Sequence, residues 1–90
     1  MAVVVQSVRI VNSLGLHARP AAAFVRLAGR HVCQVFVRKD ETEVNGKSIM
    51  GMMMLAAEVG SELVIRADGE GAEQAVADLV ALVQGGFGES

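Results

Sequence analysis

His17, Arg19 and Pro20 stand together in the segment Gly15-Leu16-His17-Ala18-Arg19-Pro20-Ala21-Ala22, whose residue types could do chemistry. Pro20 suits the first turn of a helix, where a missing N–H costs nothing. That places His17 at the helix start, beside several backbone N–H groups without intrahelical partners. Such donors, with the positive end of the helix, form an anion site. Arg19 adds a fork of donors matched to phosphate oxygens. The same positive surroundings disfavour protonating the imidazole. A neutral ring keeps a lone pair that can attack phosphorus. The site therefore suits a phosphohistidine better than a proton. A histidine so placed, taken alone, is more often a surface residue without chemistry.

Other chemistries fit less well. The second histidine, His31, reads as a loop residue, and no zinc-like ligand spacing is present, so no metal is expected. No G-x-S-x-G elbow supports a hydrolase, and so short a chain leaves little room for a substrate pocket. Cys33, the single cysteine, cannot form an internal disulfide and reads as an inert buried thiol. No bound cofactor is expected.

A second informative segment is Asn45-Gly46-Lys47-Ser48-Ile49-Met50-Gly51-Met52-Met53-Met54-Leu55. Ser48 is a good helix-capping residue, and a phosphate there would be tolerated by the helix N-terminus. The apolar residues that follow outnumber what one buried face requires. Met52, Met54 or Leu55 can be core, depending on the rotation of the helix.

Positioning these residues requires a scaffold. Period-two alternation marks strands over residues 3–11, 32–38 and 62–68, with a short, weaker one over 41–45. Helices are expected over 18–29, 48–57 and 71–84. The last carries Ala72, Ala75, Val76, Leu79 and Val83 on one stripe, with Glu73 near its start. A hairpin turn is placed at Lys39-Asp40-Glu41, with Asn45-Gly46 as the entry to the second helix. The order β-α-β-β-α-β-α calls for an α+β fold, an antiparallel sheet with helices on one face.

Composition bounds the rest. Ninety residues, 52% apolar, suffice for one small domain over 1–90. The longest charge-free stretches, 48–57 and 79–88, have about half the roughly 20 residues of a membrane span. No secretory leader is visible, so a cytoplasmic location is expected. Residues 1–39 hold six cations and no acid, and residues 40–90 hold ten acids against Lys47 and Arg66. The basic half can attract an anion or an acidic partner. A nucleic-acid-binding module is the remote alternative, because three Phe and no Trp or Tyr offer few stacking platforms. The glycine-rich tail, 85–90, is expected to be mobile.

Both segments resemble the signatures of the HPr family, the histidine-containing phosphocarriers of the bacterial phosphoenolpyruvate-dependent sugar phosphotransferase system. The resemblance covers nearly the whole chain. It implies an open-faced β-sandwich, a four-stranded antiparallel sheet with three helices on one side. It also implies that His17 accepts a phosphoryl group at Nδ1 from Enzyme I and passes it to a IIA domain, supported by Arg19. Such a carrier has no turnover of its own. Ser48 matches the family's regulatory serine, the target of an ATP-dependent HPr kinase/phosphorylase in some bacteria. Arg19, Ala22, Arg26, Ile49, Met50 and Met53 would form the docking surface, and a monomer is expected. The run Met53-Met54-Leu55-Ala56-Ala57 also resembles the carrier of the nitrogen-related branch, whose output is regulation. A purely regulatory relative without the active histidine is disfavoured by the presence of His17.

Overall fold

The computed structural model describes residues 2–89. Strand β1 (Val3–Arg9) is followed by helix α1 (Ala18–Ala28), β2 (Gln34–Lys39), β3 (Thr42–Asn45), α2 (Ile49–Met54), β4 (Glu62–Asp68) and α3 (Ala72–Gln84). The strands form one antiparallel sheet in the order β1-β4-β2-β3. The strand with the cleanest alternation, β4, lies inside the sheet. It pairs with β1 from Val3↔Asp68 to Arg9↔Glu62, and with β2 from Gln34↔Asp68 to Arg38↔Val64. Its inward residues Leu63, Ile65 and Ala67 are buried with Val35 and Val37 of β2 and Val8 of β1. This is the expected open-faced α+β architecture, with three helices and a four-stranded sheet.

The helices close the core through their apolar stripes. Helix α1 contributes Ala21, Phe24 and Ala28, and α3 contributes Ala72, Ala75, Val76, Leu79 and Val83. Burying a side chain such as Phe24 is worth about 1.5–3 kcal/mol against leaving it in water. On the other face, the Arg66 guanidinium lies 4.2 Å from the Phe36 ring centroid and pairs with Glu43 across 3.1 Å.

Several boundaries differ from the sequence expectation. Regular β1 stops at Arg9, although pairing continues from the Ile10 N–H to the Ser61 carbonyl at 2.9 Å. The β2–β3 hairpin turns at Asp40 and Glu41, as expected, and Asp40 takes a left-handed φ of 54°. Helix α2 is shorter than the expected span of 48–57. Its end tightens, with the Leu55 N–H bonded to the Met52 carbonyl and the Ala56 N–H to the Met53 carbonyl, and Ala56 then turns left-handed at φ 49°. A three-residue hydrogen-bonded turn closes the last part of such a helix and ends its climb.

The tail departs most. Residues 86–88 form a 3-10 turn, with Phe87 at φ 58°, and the Glu89 N–H bonds back to the Gly86 carbonyl at 2.9 Å. Described residues 85–89 are therefore a folded turn instead of the mobile segment expected. Ser90, the remainder of that expectation, and Met1 lie outside the described residues.

Candidate functional site

The loop from β1 into α1 sets the site. Gly15 has φ +68°, and a Cβ there would fall 2.5 Å from the Ala57 carbonyl oxygen. Glycine alone permits this backbone without strain and this close approach. Next to it, the Leu16 N–H donates to the same carbonyl at 2.9 Å, fastening the loop to the segment after α2. His17 then caps α1 in an extended conformation (φ −81°, ψ −170°), and its carbonyl accepts the Ala21 N–H at 3.0 Å.

This geometry refines the amide count. Pro20 has no N–H and that of Ala21 is used, so the backbone amides of His17, Ala18 and Arg19 remain without a partner among the described residues. The His17 side chain makes no capping bond and is 38% exposed, so its ring reaches solvent at the helix mouth. Arg19 is exposed and makes no hydrogen bond or ion pair among the described residues.

Two neighbours of the ring escaped the sequence reading. Both carboxylate oxygens of Glu89 lie 3.1 Å from Nε2 of His17. Asn12, only 2% exposed, donates from Nδ2 to the Gly15 carbonyl at 2.7 Å and to Glu89 Oε1 at 3.0 Å. Its Oδ1 is buried without a partner. The hydrogen bond from His17 holds the Glu89 carboxyl below its ordinary value, aided by Asn12 and the positive charge of Arg19 and opposed by partial burial. The ring thus meets a carboxylate at Nε2 as well as a positive field at the helix mouth. An isolated Glu five residues beyond the last helix, and an Asn in an unassigned turn, carry no local pattern that pairs them.

Around α2, Ser48 caps the helix by accepting the Gly51 N–H at 3.0 Å. Met52 and Leu55 are the core residues, whereas Met54 is 72% exposed and so leaves the set of core candidates. Ile49, Met50 and Met53 are exposed, with Met50 the most so at 76%. Arg26 is exposed and Ala22 half-buried on α1, which packs beside α2. The second histidine has a structural tie: Nε2 of His31 lies 3.0 Å from Asp78 Oδ2, and Lys47 Nζ donates to its carbonyl at 2.7 Å. Among the described residues, no cluster of three His, Cys, Asp or Glu side chains could hold a metal ion. Among the same residues, no helix is long and apolar enough to cross a membrane.

The open-faced sandwich thus presents a solvent-reaching imidazole at the mouth of its first helix, an arrangement that fits a small phosphocarrier protein. Residues 4–85 match the family model described as the PTS HPr component phosphorylation site. The phosphocarrier protein HPr of Pseudomonas aeruginosa is 51% identical over 83 residues, 91% of this chain and 92% of that protein. HPr of Neisseria meningitidis serogroup A is 45% identical over 84 residues, covering 93% and 94%. The crystal structure of HPr from Bacillus anthracis superposes with a TM-score of 0.89 at 45% identity, over 93% of this chain and all of that one. The chain belongs to the HPr family of the phosphotransferase system.

Two further similar structures weigh against the expected monomer. HPr of Thermoanaerobacter tengcongensis (TM-score 0.77, 45% identity, 91% of this chain and 94% of that one) is described as a dimer. So is Bacillus subtilis Crh (TM-score 0.75, 46% identity, 90% and 93%), there with swapped elements.

Proposed function

We propose that residues 1–90 act as one phosphocarrier domain, in the cytoplasm, that takes a phosphoryl group on Nδ1 of His17 from phosphorylated Enzyme I and delivers it to IIA domains. The observation that carries this reading is the ring itself: Nε2 is engaged by Glu89, and Nδ1 has no partner among the described residues. In the step, the Nδ1 lone pair forms a bond to phosphorus as the bond from phosphorus to the donor breaks, its electron pair leaving with the donor. The free amides of Ala18 and Arg19 and the Arg19 guanidinium supply donors for the phosphoryl oxygens. The carrier itself turns nothing over, because each delivery returns the starting imidazole.

Docking falls to the neighbouring surface. Exposed Ile49, Met50 and Met53, with Ala22 and rimmed by Arg19 and Arg26, present flexible apolar side chains within positive charge. That combination suits acidic-rimmed partners of differing shape. Ser48 adds a control point: its phosphorylation by an HPr kinase/phosphorylase would place negative charge on this surface and weaken such docking. The nitrogen-branch reading keeps the same chemistry with other acceptors, and a neighbouring gene for the matching IIA distinguishes the two.

The decisive experiment is incubation with phosphoenolpyruvate and Enzyme I. An acid-labile, base-stable phosphoprotein is expected, and His17→Ala removes it. Labelling that survives the substitution overturns the carrier assignment.

A further inference from the structure

Resting on that reading, we propose that Glu89, gripped by the buried Asn12, is a positioning residue for phosphoryl transfer, its carboxylate accepting the Nε2–H of His17 so that the Nδ1 lone pair stays free. The geometry is specific. Both carboxylate oxygens sit at 3.1 Å from Nε2, and Oε1 also accepts from Asn12 Nδ2 at 3.0 Å. An ionised carboxylate only accepts, so the imidazole nitrogen facing it carries the hydrogen. A neutral imidazole with its hydrogen on Nε2 has its lone pair on Nδ1. The partner of one ring nitrogen thereby sets the reactivity of the other.

The chain spends conformational strain to hold this carboxylate in place. Phe87 is a non-glycine residue at φ 58°, and its ring packs against the core. Gly86, buried at φ +67°, lies over Val11 and Asn12 closely enough that a Cβ would meet both side chains at 3.7 Å. Strain of this kind persists where the surroundings over-determine it, and it gathers at functional sites. The turn it enforces brings Glu89 back, 72 residues along the chain, onto the ring.

The arrangement also fits the charge that develops. When Nδ1 bonds to phosphorus while Nε2 keeps its hydrogen, the ring becomes cationic. Glu89 faces that N–H from the edge opposite the phosphoryl group, so the ring separates the two anions. On delivery, the N–P electron pair returns to Nδ1 and the same hydrogen bond receives the neutral ring.

The experiment reads the ring before any phosphate is present. In protein labelled with 15N at histidine, the ring shifts of His17 at neutral pH should show the Nε2–H form dominant. Glu89→Ala should mix the two tautomers and slow transfer from phosphorylated Enzyme I about tenfold, the order expected of a neighbour that orients a reacting group. Glu89→Gln, whose amide oxygen still accepts, should retain the tautomer and recover part of the rate. Unchanged ring shifts in Glu89→Ala overturn the proposal, and so do altered shifts with an unchanged rate. Failure of the parent protein to take any phosphate would instead sink the carrier reading, while the ring shifts still report whether Glu89 holds the tautomer.

Discussion

At the scale of single residues, the ring of His17 lies between unlike neighbours. Toward the helix are the Ala18 and Arg19 amides, and toward the tail is a carboxylate. Arg19, exposed and unpaired among the described residues, contributes little to stability, because nothing buried depends on it. Arg19→Ala should therefore leave the melting temperature within about 2–4 °C, since surface changes stay within roughly 0.5 kcal/mol. Transfer to and from His17 should slow by about 10–100-fold, the equivalent of one charge-assisted bond of about 1.5–3 kcal/mol. Rapid-quench kinetics with Enzyme I checks the rate, and scanning calorimetry checks the stability. Glu89 predicts a pH effect. Its carboxyl titrates lower in the folded protein than in the unfolded chain. The unfolded state then binds more protons in that interval, so stability rises with pH across it. The tail contact should be fully present above the ordinary glutamate value and lost as pH falls through the depressed native one. Amide shifts of Gly88 and Glu89 followed by acid titration should show this transition, and Glu89→Gln should lack it.

At the scale of elements, α2 separates core from surface within one short turn. Met52 is fully buried and Met50, two residues earlier, projects into solvent. Met52→Ala should cost about 2–5 kcal/mol in denaturant unfolding. Met50→Glu should leave stability nearly unchanged and weaken binding to Enzyme I and IIA domains, measurable by calorimetry. A large loss of stability from Met50→Glu would show that its exposure is misplaced. This element also shows what was legible in the chain. The cap at Ser48 could be read from residue type, since a hydroxyl before an apolar run satisfies a helix amide. The rotation and length could not, because Met and Leu at nearly every position leave no polar face to orient the turn. By contrast, β4 was legible to the residue, its alternation matching the observed Glu62–Asp68. The His17 environment was half legible. Its helix mouth followed from local sequence, whereas Asn12 and Glu89 meet only through the closure of the whole fold.

At the scale of the molecule, the sheet and helices share one core, and Phe24 stands at its centre, fully buried on α1. Residue Gly46 lies close by: a Cβ there would fall 3.3 Å from the Phe24 ring and 2.6 Å from Val35 Cγ1. The entry to α2 is thereby packed onto the helix that carries His17. Phe24→Ala should cost about 3–5 kcal/mol and lower the melting temperature by on the order of 20 °C for a chain of this size. Scanning calorimetry measures it, and a shift of only a few degrees would show that α1 is held by other contacts.

The placement of Val3 and Glu89 has a practical corollary. Strand β1 runs seven residues, about 23 Å, between its Val3 end and the loop toward His17. Glu89 instead touches the imidazole. Whatever is appended beyond Glu89, an affinity tag or a fused partner, begins near the His17 ring and would crowd proteins that approach it. The same addition ahead of Val3 starts at the far end of the edge strand. Labels for single-molecule or surface-capture work belong there.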